Sequence, residues 1–289
     1  MSEKIGLVLE GGAMRGMFTS GVLDVFMENG ITVDAAIGVS AGATFGCNFK
    51  SRQIGRAIRY NKKYANDRRY CSIYSLLTSG DLYNADFCYN VLPNRLDLFD
   101  YETYAGNPME FYVVVTDAET GETLYKKLED CREKDMLWMR ASASMPLVSR
   151  PVVIDGGKFL DGGITDSVPL EYFESIGFER NIVVLTQPRD FVKQQPKILP
   201  LMKIILRRYP KIIEAVAVRH LRYNRQREFI FSREKEGKAL VICPEKALGI
   251  SRTEKNVGEL ERVYQEGRRT AEKRLEEIKK FLAAGRMSI

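Results

Sequence analysis

Short apolar runs recur along this chain, each cut off by glycine, proline or charge, and they lay out its elements in order. The first, Ile5 to Leu9, predicts a buried strand that stops at a glycine-rich turn, Glu10-Gly11-Gly12-Ala13-Met14-Arg15-Gly16. A helix follows to about Asn29, and Gly30 stands where a left-handed residue closes a helix. A second apolar run, Ala35 to Val39, is followed by a small-residue helix from Ala41. Strand, turn and helix, twice over within 50 residues, argue for a parallel, doubly wound sheet.

Residues 51–105 are polar, aromatic and weakly periodic, which suits helices and loops covering one end of that sheet. Phe111 to Val115 predicts a buried strand, and Thr123 to Leu128 can pair with it as a hairpin across Glu119-Thr120-Gly121. Ala141-Ser142-Ala143-Ser144-Met145-Pro146 reads as a tightly packed helix end. Further buried strands are expected at Asn181 to Thr186, closed by Pro188, and at Ala239 to Cys243. Leu260, Val263, Tyr264, Ala271, Leu275, Ile278 and Leu282 recur mostly three or four apart, an amphipathic helix expected to end at Gly285. No internal repeat interrupts this order.

Charge changes the picture. Residues 191–289 hold 24 Lys and Arg against 12 Asp and Glu, whereas residues 1–190 hold 20 against 26. The break, near Pro188 to Pro200, is the expected boundary between a main domain (1–190) and a basic, mainly helical C-terminal region (191–289). Within the latter, residues 193–227 carry ten Lys or Arg interleaved with Ile198-Leu199, Leu201-Met202 and Ile204-Ile205-Leu206. The plainer reading is a helix whose apolar side packs on the main domain; the alternative is docking on an anionic membrane surface. Nucleic acid is not an expected partner, because the basic stretch lacks aromatic interleaving or a recognised motif.

At 289 residues the chain can bury a full core, and no apolar run approaches the roughly 18 residues of a membrane span. Met1-Ser2-Glu3-Lys4 leads straight into the first strand, without a secretory pattern. Five scattered cysteines, Cys47, Cys71, Cys88, Cys131 and Cys243, suggest neither a disulfide framework nor a zinc site, so a reducing cytoplasm is the expected setting.

The candidate chemistry sits at Gly38-Val39-Ser40-Ala41-Gly42. A G-x-S-x-G after a buried strand places the serine on a tight turn at a helix N-terminus, where free N–H groups can steady an oxyanion. Such a serine needs a base. His220 is the one histidine, but it lies among cations in Arg219-His220-Leu221-Arg222 and reads as a surface or helix-packing residue. The other candidates are Asp155 and Asp161, each followed by two glycines. Val152 to Ile154 and Phe159-Leu160 flank Asp155-Gly156, a hairpin signal that makes Asp155 a turn residue. Asp161 then ends the returning strand, next to Gly162 and Gly163, which allow another backbone to come close. The glycine-rich turn does not qualify as a dinucleotide fingerprint, because Ala13 stands where G-x-G-x-x-G needs its middle glycine.

Four motifs in order make the chain resemble the bacterial patatin-like phospholipases: the glycine-rich turn with Arg15, the elbow around Ser40, the Ala-Ser-x-x-x-Pro block Ala141 to Pro146, and Asp161-Gly162-Gly163 with Pro169 eight residues after the aspartate. The resemblance covers about residues 5–190. It implies a three-layer α/β/α hydrolase with a mainly parallel sheet, and a Ser–Asp dyad that needs no histidine, metal or cofactor. Ser40 would be the nucleophile, Asp161 the base, and the amides around Gly11, Gly12 and Ala13 the oxyanion hole, with Arg15 holding that turn. The implied substrate is a fatty-acyl lipid ester; acyl transfer to an alcohol, or a catalytically silent lipid-binding protein, are the other outcomes the motifs allow. Two departures stand out. Ala13 replaces the family's third glycine, so the turn must run at negative φ there or carry strain. Ser167 replaces an asparagine before the final Val-Pro.

Overall fold

A computed structural model describes residues 3–287 of the chain. Eight strands join in one sheet: β1 (Ile5–Leu9), β2 (Ala35–Gly38), β3 (Glu110–Asp117), β4 (Thr123–Leu128), β5 (Val152–Ile154), β6 (Gly157–Asp161), β7 (Arg180–Val184) and β8 (Ala239–Ile242). Around it lie α1 (Gly16–Glu28), α2 (Ala41–Lys50), α3 (Arg56–Tyr64), α4 (Ile73–Ser79), α5 (Tyr101–Gly106) and α6 (Glu133–Ser142). The later helices are α7 (Leu170–Ser175), α8 (Leu199–Ile205), α9 (Pro210–Lys235), α10 (Val257–Lys273) and α11 (Leu275–Met287). None of the described helices is long and apolar enough to cross a membrane.

The sheet runs β5-β6-β3-β2-β1-β7-β8, with β4 also paired to β3. From β3 to β8 every pairing along this path is parallel, while β4 and β6 run antiparallel to β3. Alternation along each strand then builds two cores. Leu7 and Leu9 of β1, Phe111 and Val113 of β3 and Ile182 of β7 face one side, against Phe18, Val22 and Phe26 of α1 and Leu260 and Val263 of α10. Val8, Ile37, Val114 and Val183 face the other, against Leu170 and Phe173 of α7 and Tyr223 and Ile230 of α9. The result is the expected three-layer α/β/α arrangement.

Residues 191–287 do not stand apart from this framework. β8 extends the sheet in parallel with β7, α9 covers the second core, and α10 lies close against α1. The approach depends on two glycines: a Cβ on Gly21 would lie 2.1 Å from the Tyr264 carbonyl oxygen, and one on Gly267 would lie 2.0 Å from that of Phe18. Charge therefore marks a change along the chain, while the sheet runs across it.

The last helix departs from expectation twice. It is broken at Arg274, whose guanidinium turns back to the Val241 carbonyl of β8 and to Glu277. Gly285 lies inside α11 and does not end it. Its small size lets the helix pass over Arg180, since a Cβ there would lie 2.5 Å from the Arg180 Cδ, and its carbonyl accepts from the Glu3 amide at 3.0 Å.

Candidate active site

β4 occupies one edge of β3, leaving β2 and β6 to share the other from opposite directions. Gly38, ending β2, pairs with Val113; Asp161, ending β6, pairs with Val115. The two strands therefore point their C-terminal ends at each other, and Ser40 and Asp161 emerge in the gap. A Cβ on Gly162 would sit 2.3 Å from the Val114 carbonyl oxygen, so a glycine is required where β6 turns off that edge.

Ser40 caps α2 at φ 55°, ψ −120°, a conformation few L-residues adopt. Its two glycine neighbours make that turn possible by proximity. A Cβ on Gly38 would meet the Gly42 oxygen at 2.5 Å, and one on Gly42 the Leu9 oxygen at 2.3 Å. The Ser40 amide donates to the hydroxyl of buried Ser142 at 3.1 Å. Two residues on, the Ser144 carbonyl accepts from the Asp161 amide at 2.9 Å. The small-residue block at the end of α6 thus clamps both sides of the site.

The Asp161 carboxyl is buried and accepts from the Gly163 amide at 2.7 Å. It lies close enough to the Ser40 side chain for the hydroxyl to act on its titration. Burial raises its pKa above the ordinary carboxylate value, while the Ser40 hydroxyl and the Arg219 charge pull it back down. Gly163 links it to Arg219, because the Gly163 carbonyl accepts from the Arg219 Nε and, at 2.8 Å, from Ser167. The serine in place of asparagine at 167 keeps a supporting bond. Asp155 sits far from this chemistry in function: it occupies the β5–β6 turn at φ 50° and pairs with Lys134.

The turn after β1 closes over Ser40. A Cβ on Gly11 would lie 3.0 Å from the Ser40 Cβ, and one on Gly12 2.8 Å from the Thr186 hydroxyl. Among the described residues the amides of Gly11, Gly12 and Ala13 donate to no protein acceptor. Ala13 takes φ 49°, the strained alternative, at a cost of about 1 kcal/mol. Glu10 braces the turn from behind, accepting from the Thr186 amide at 2.5 Å and the Tyr223 hydroxyl at 2.6 Å. Arg15 reaches the Thr186 hydroxyl from the other side, at 3.4 Å.

These groups open into a cavity of about 600 Å³. Its walls are largely apolar and aromatic, with Tyr60, Tyr70, Tyr83, Tyr89 and Phe99 supplied by the stretch 51–105. His220 also lines it, with its Nδ1 unpartnered, against the expectation of a purely surface or packing residue. Residues that pattern reasoning passed over as site residues are Lys193, Arg219 and Arg252, which line the same cavity from the basic region. No local signal marks them, because they come from three separate segments, before α8, on α9 and after β8, that meet only in the fold. Burial brings the Lys193 pKa down to about 7.

Comparison with known proteins agrees with this architecture. The family profile described as patatin-like phospholipase matches residues 7–174, and a domain of unknown function, DUF6363, matches residues 209–283. The uncharacterised protein YjjU of Escherichia coli is 28% identical over 200 residues, covering 64% of this chain and 52% of that one. Lysophospholipase NTE1 of Pyricularia oryzae is 25% identical over 182 residues, covering 61% of this chain and 12% of the relative. The chain thus matches about half of the first relative's length and a small part of the second's. The crystal structure of VipD from Legionella pneumophila aligns with a TM-score of 0.47 at 11% identity, over 96% of this chain and 67% of that one. With the profile spanning more than half of its length, this chain belongs to the patatin-like phospholipase family.

Proposed function

We propose that the protein is a serine esterase that cleaves fatty-acyl lipid esters through an acyl-enzyme. Ser40 attacks the acyl carbonyl as Asp161 takes its proton, and the amides of Gly11, Gly12 and Ala13 stabilise the oxyanion. Asp161 then passes the proton to the leaving alcohol. Water, deprotonated by the same carboxylate, releases the fatty acid and restores Ser40. The observation that carries this reading is the strained Ser40 elbow and the buried Asp161 carboxyl lining one largely apolar cavity. A fluorophosphonate probe tests it: labelling is expected in the wild type, absent in Ser40→Ala and slowed in Asp161→Asn. Unchanged labelling in Ser40→Ala would remove the serine from the mechanism. Absence of wild-type labelling and ester turnover would favour a silent lipid binder, and faster turnover with added acceptor alcohols would favour acyl transfer.

The substrate's setting is proposed to be an anionic bilayer surface, contacted through the segment within residues 193–227. α8 buries Leu199 and Met202 but exposes Leu201 (52%), Ile204 (70%) and Ile205 (55%), with Ile198 exposed just before it. Lys197, Lys203, Arg207 and Arg208 surround them, all exposed. Pro196, Ile198 and Met202 also line the cavity, so this apolar, basic face lies at the cavity's rim. Apolar side chains ringed by cations suit a negatively charged membrane surface.

A further inference from the structure

We propose that Lys193, Arg219 and Arg252 form an anion subsite beside Ser40, and that the ester taken there carries a phosphate on its alcohol side with no cation attached to it. This rests on the esterase reading above and names the substrate class within it. All three residues lie beyond the patatin match, so the basic region supplies the selectivity.

The cavity is lined by five cations, Arg15, Arg56, Lys193, Arg219 and Arg252, against two carboxylates, Glu10 and Asp161. Most buried or half-buried arginines elsewhere in the protein are matched by acids, as in Arg268 with Glu28 or Arg233 with Glu174. Arg56 follows that rule, paired with Asp97. Among the described residues Lys193, Arg219 and Arg252 form no ion pair with any carboxylate. The Arg219 guanidinium is anchored through Nε to the Gly163 carbonyl and makes no other hydrogen bond among the described residues. All three line the cavity that holds Ser40, and Arg219 reaches the turn beside Asp161 through the Gly163 carbonyl; Arg219 and Arg252 also act on the Asp161 charge. Lys193 and Arg219 are half-buried and Arg252 is exposed, so the three run from the cavity wall to its opening, and a bound phosphate would pair with them there.

The two carboxylates of the cavity are already engaged and offer little to a choline or ethanolamine cation. Glu10 is taken up by Thr186 and Tyr223, and Asp161 accepts from the Gly163 amide. Three of the aromatic faces are taken as well. Lys193 already lies over the Tyr223 ring at 4.2 Å and the Phe191 ring at 5.8 Å, and Arg56 over Tyr60 at 5.3 Å.

The test compares kcat/KM for three monomeric octanoyl esters, of glycerol phosphate, glycerophosphocholine and glycerol, in the full chain and in Lys193→Gln and Arg252→Gln. The glycerol phosphate ester is expected to lead the other two by about tenfold or more, a gap equal to about 1.4 kcal/mol. In each variant the ratio of phosphate to glycerol ester is expected to fall severalfold. Equal wild-type rates, or a preference for the choline ester, would overturn the proposal. So would variants that slow all three esters in the same proportion, which would make these residues structural. Protection from fluorophosphonate labelling separates the ligand sources: dodecyl phosphate should protect more strongly than dodecanol or inorganic phosphate. Equal protection by inorganic phosphate would reassign the site to free phosphate and sink the lipid assignment. If nothing is hydrolysed or labelled, the esterase reading fails by itself. Calorimetric binding of dodecyl phosphate, lost in Lys193→Gln, would still uphold the subsite.

Discussion

The amide of Ser40 donates to the hydroxyl oxygen of Ser142 at 3.1 Å, across 102 residues of chain. Ser142 is fully buried, and its carrier helix also reaches β6, because the Ser144 carbonyl holds the Asp161 amide. One short block thus sets the position of both proposed reacting groups. Ser142→Ala is expected to leave a buried amide unsatisfied, costing about 1–3 kcal/mol of stability. A urea titration reads that loss, and the labelling rate of the variant should fall more than tenfold as the elbow loosens. A variant that labels at the wild-type rate would dismiss the clamp.

The pH dependence follows from Asp161. Burial raises its pKa, and a base must be unprotonated to act, so labelling should rise with pH along a limb displaced above the usual carboxylate range. Arg219 holds that pKa down, so Arg219→Gln should move the limb further upward. The stability contribution has the opposite sign. Between the unfolded value and the raised folded value the native state binds more protons than the unfolded chain, so this group's contribution falls as pH rises through that window. A limb that stays put in Arg219→Gln would argue that the arginine does not act on the base.

Gly42→Ala adds a Cβ that would fall 2.3 Å from the Leu9 carbonyl oxygen, a backbone atom of a central strand. Neither side can yield cheaply, and an overpacking cost of about 1–3 kcal/mol is expected, together with loss of labelling. Thermal unfolding and probe reactivity check the two effects in one preparation.

The proposed membrane contact predicts that Ile204→Glu and Leu201→Glu weaken binding to vesicles containing phosphatidylglycerol by more than tenfold. Burying one such side chain contributes roughly 1.5–3 kcal/mol. Both residues are solvent-exposed, so the melting temperature should hardly move. Co-sedimentation that is the same in both variants, or absent in the wild type at every salt concentration, would reject the contact.

Truncation before α10 addresses the unity of the fold. α10 covers Phe18 and Val22 of α1, and the Tyr264 hydroxyl donates to buried Asp24 at 2.7 Å. A chain ending at residue 250 is expected to expose that face and aggregate, whereas a separable accessory unit would leave residues 1–250 soluble and cooperative on heating.

The strands of the sheet, the Gly30 helix stop, the Asp155 turn and the serine elbow were legible in the sequence because each depends on neighbours a few positions away. Alternation, glycine placement and turn chemistry are local, and Ser40 and Asp161 were picked out by motifs of that kind. Tertiary structure alone decided three things. It made β8 part of the main sheet, because pairing between residues 58 positions apart leaves no local mark. It placed Gly285 inside a helix, because the reason for that glycine is Arg180, a hundred residues earlier. It also brought Lys193, Arg219 and Arg252 to the cavity that holds Ser40, since charges spread over 60 residues line one cavity only when three separate segments fold onto it.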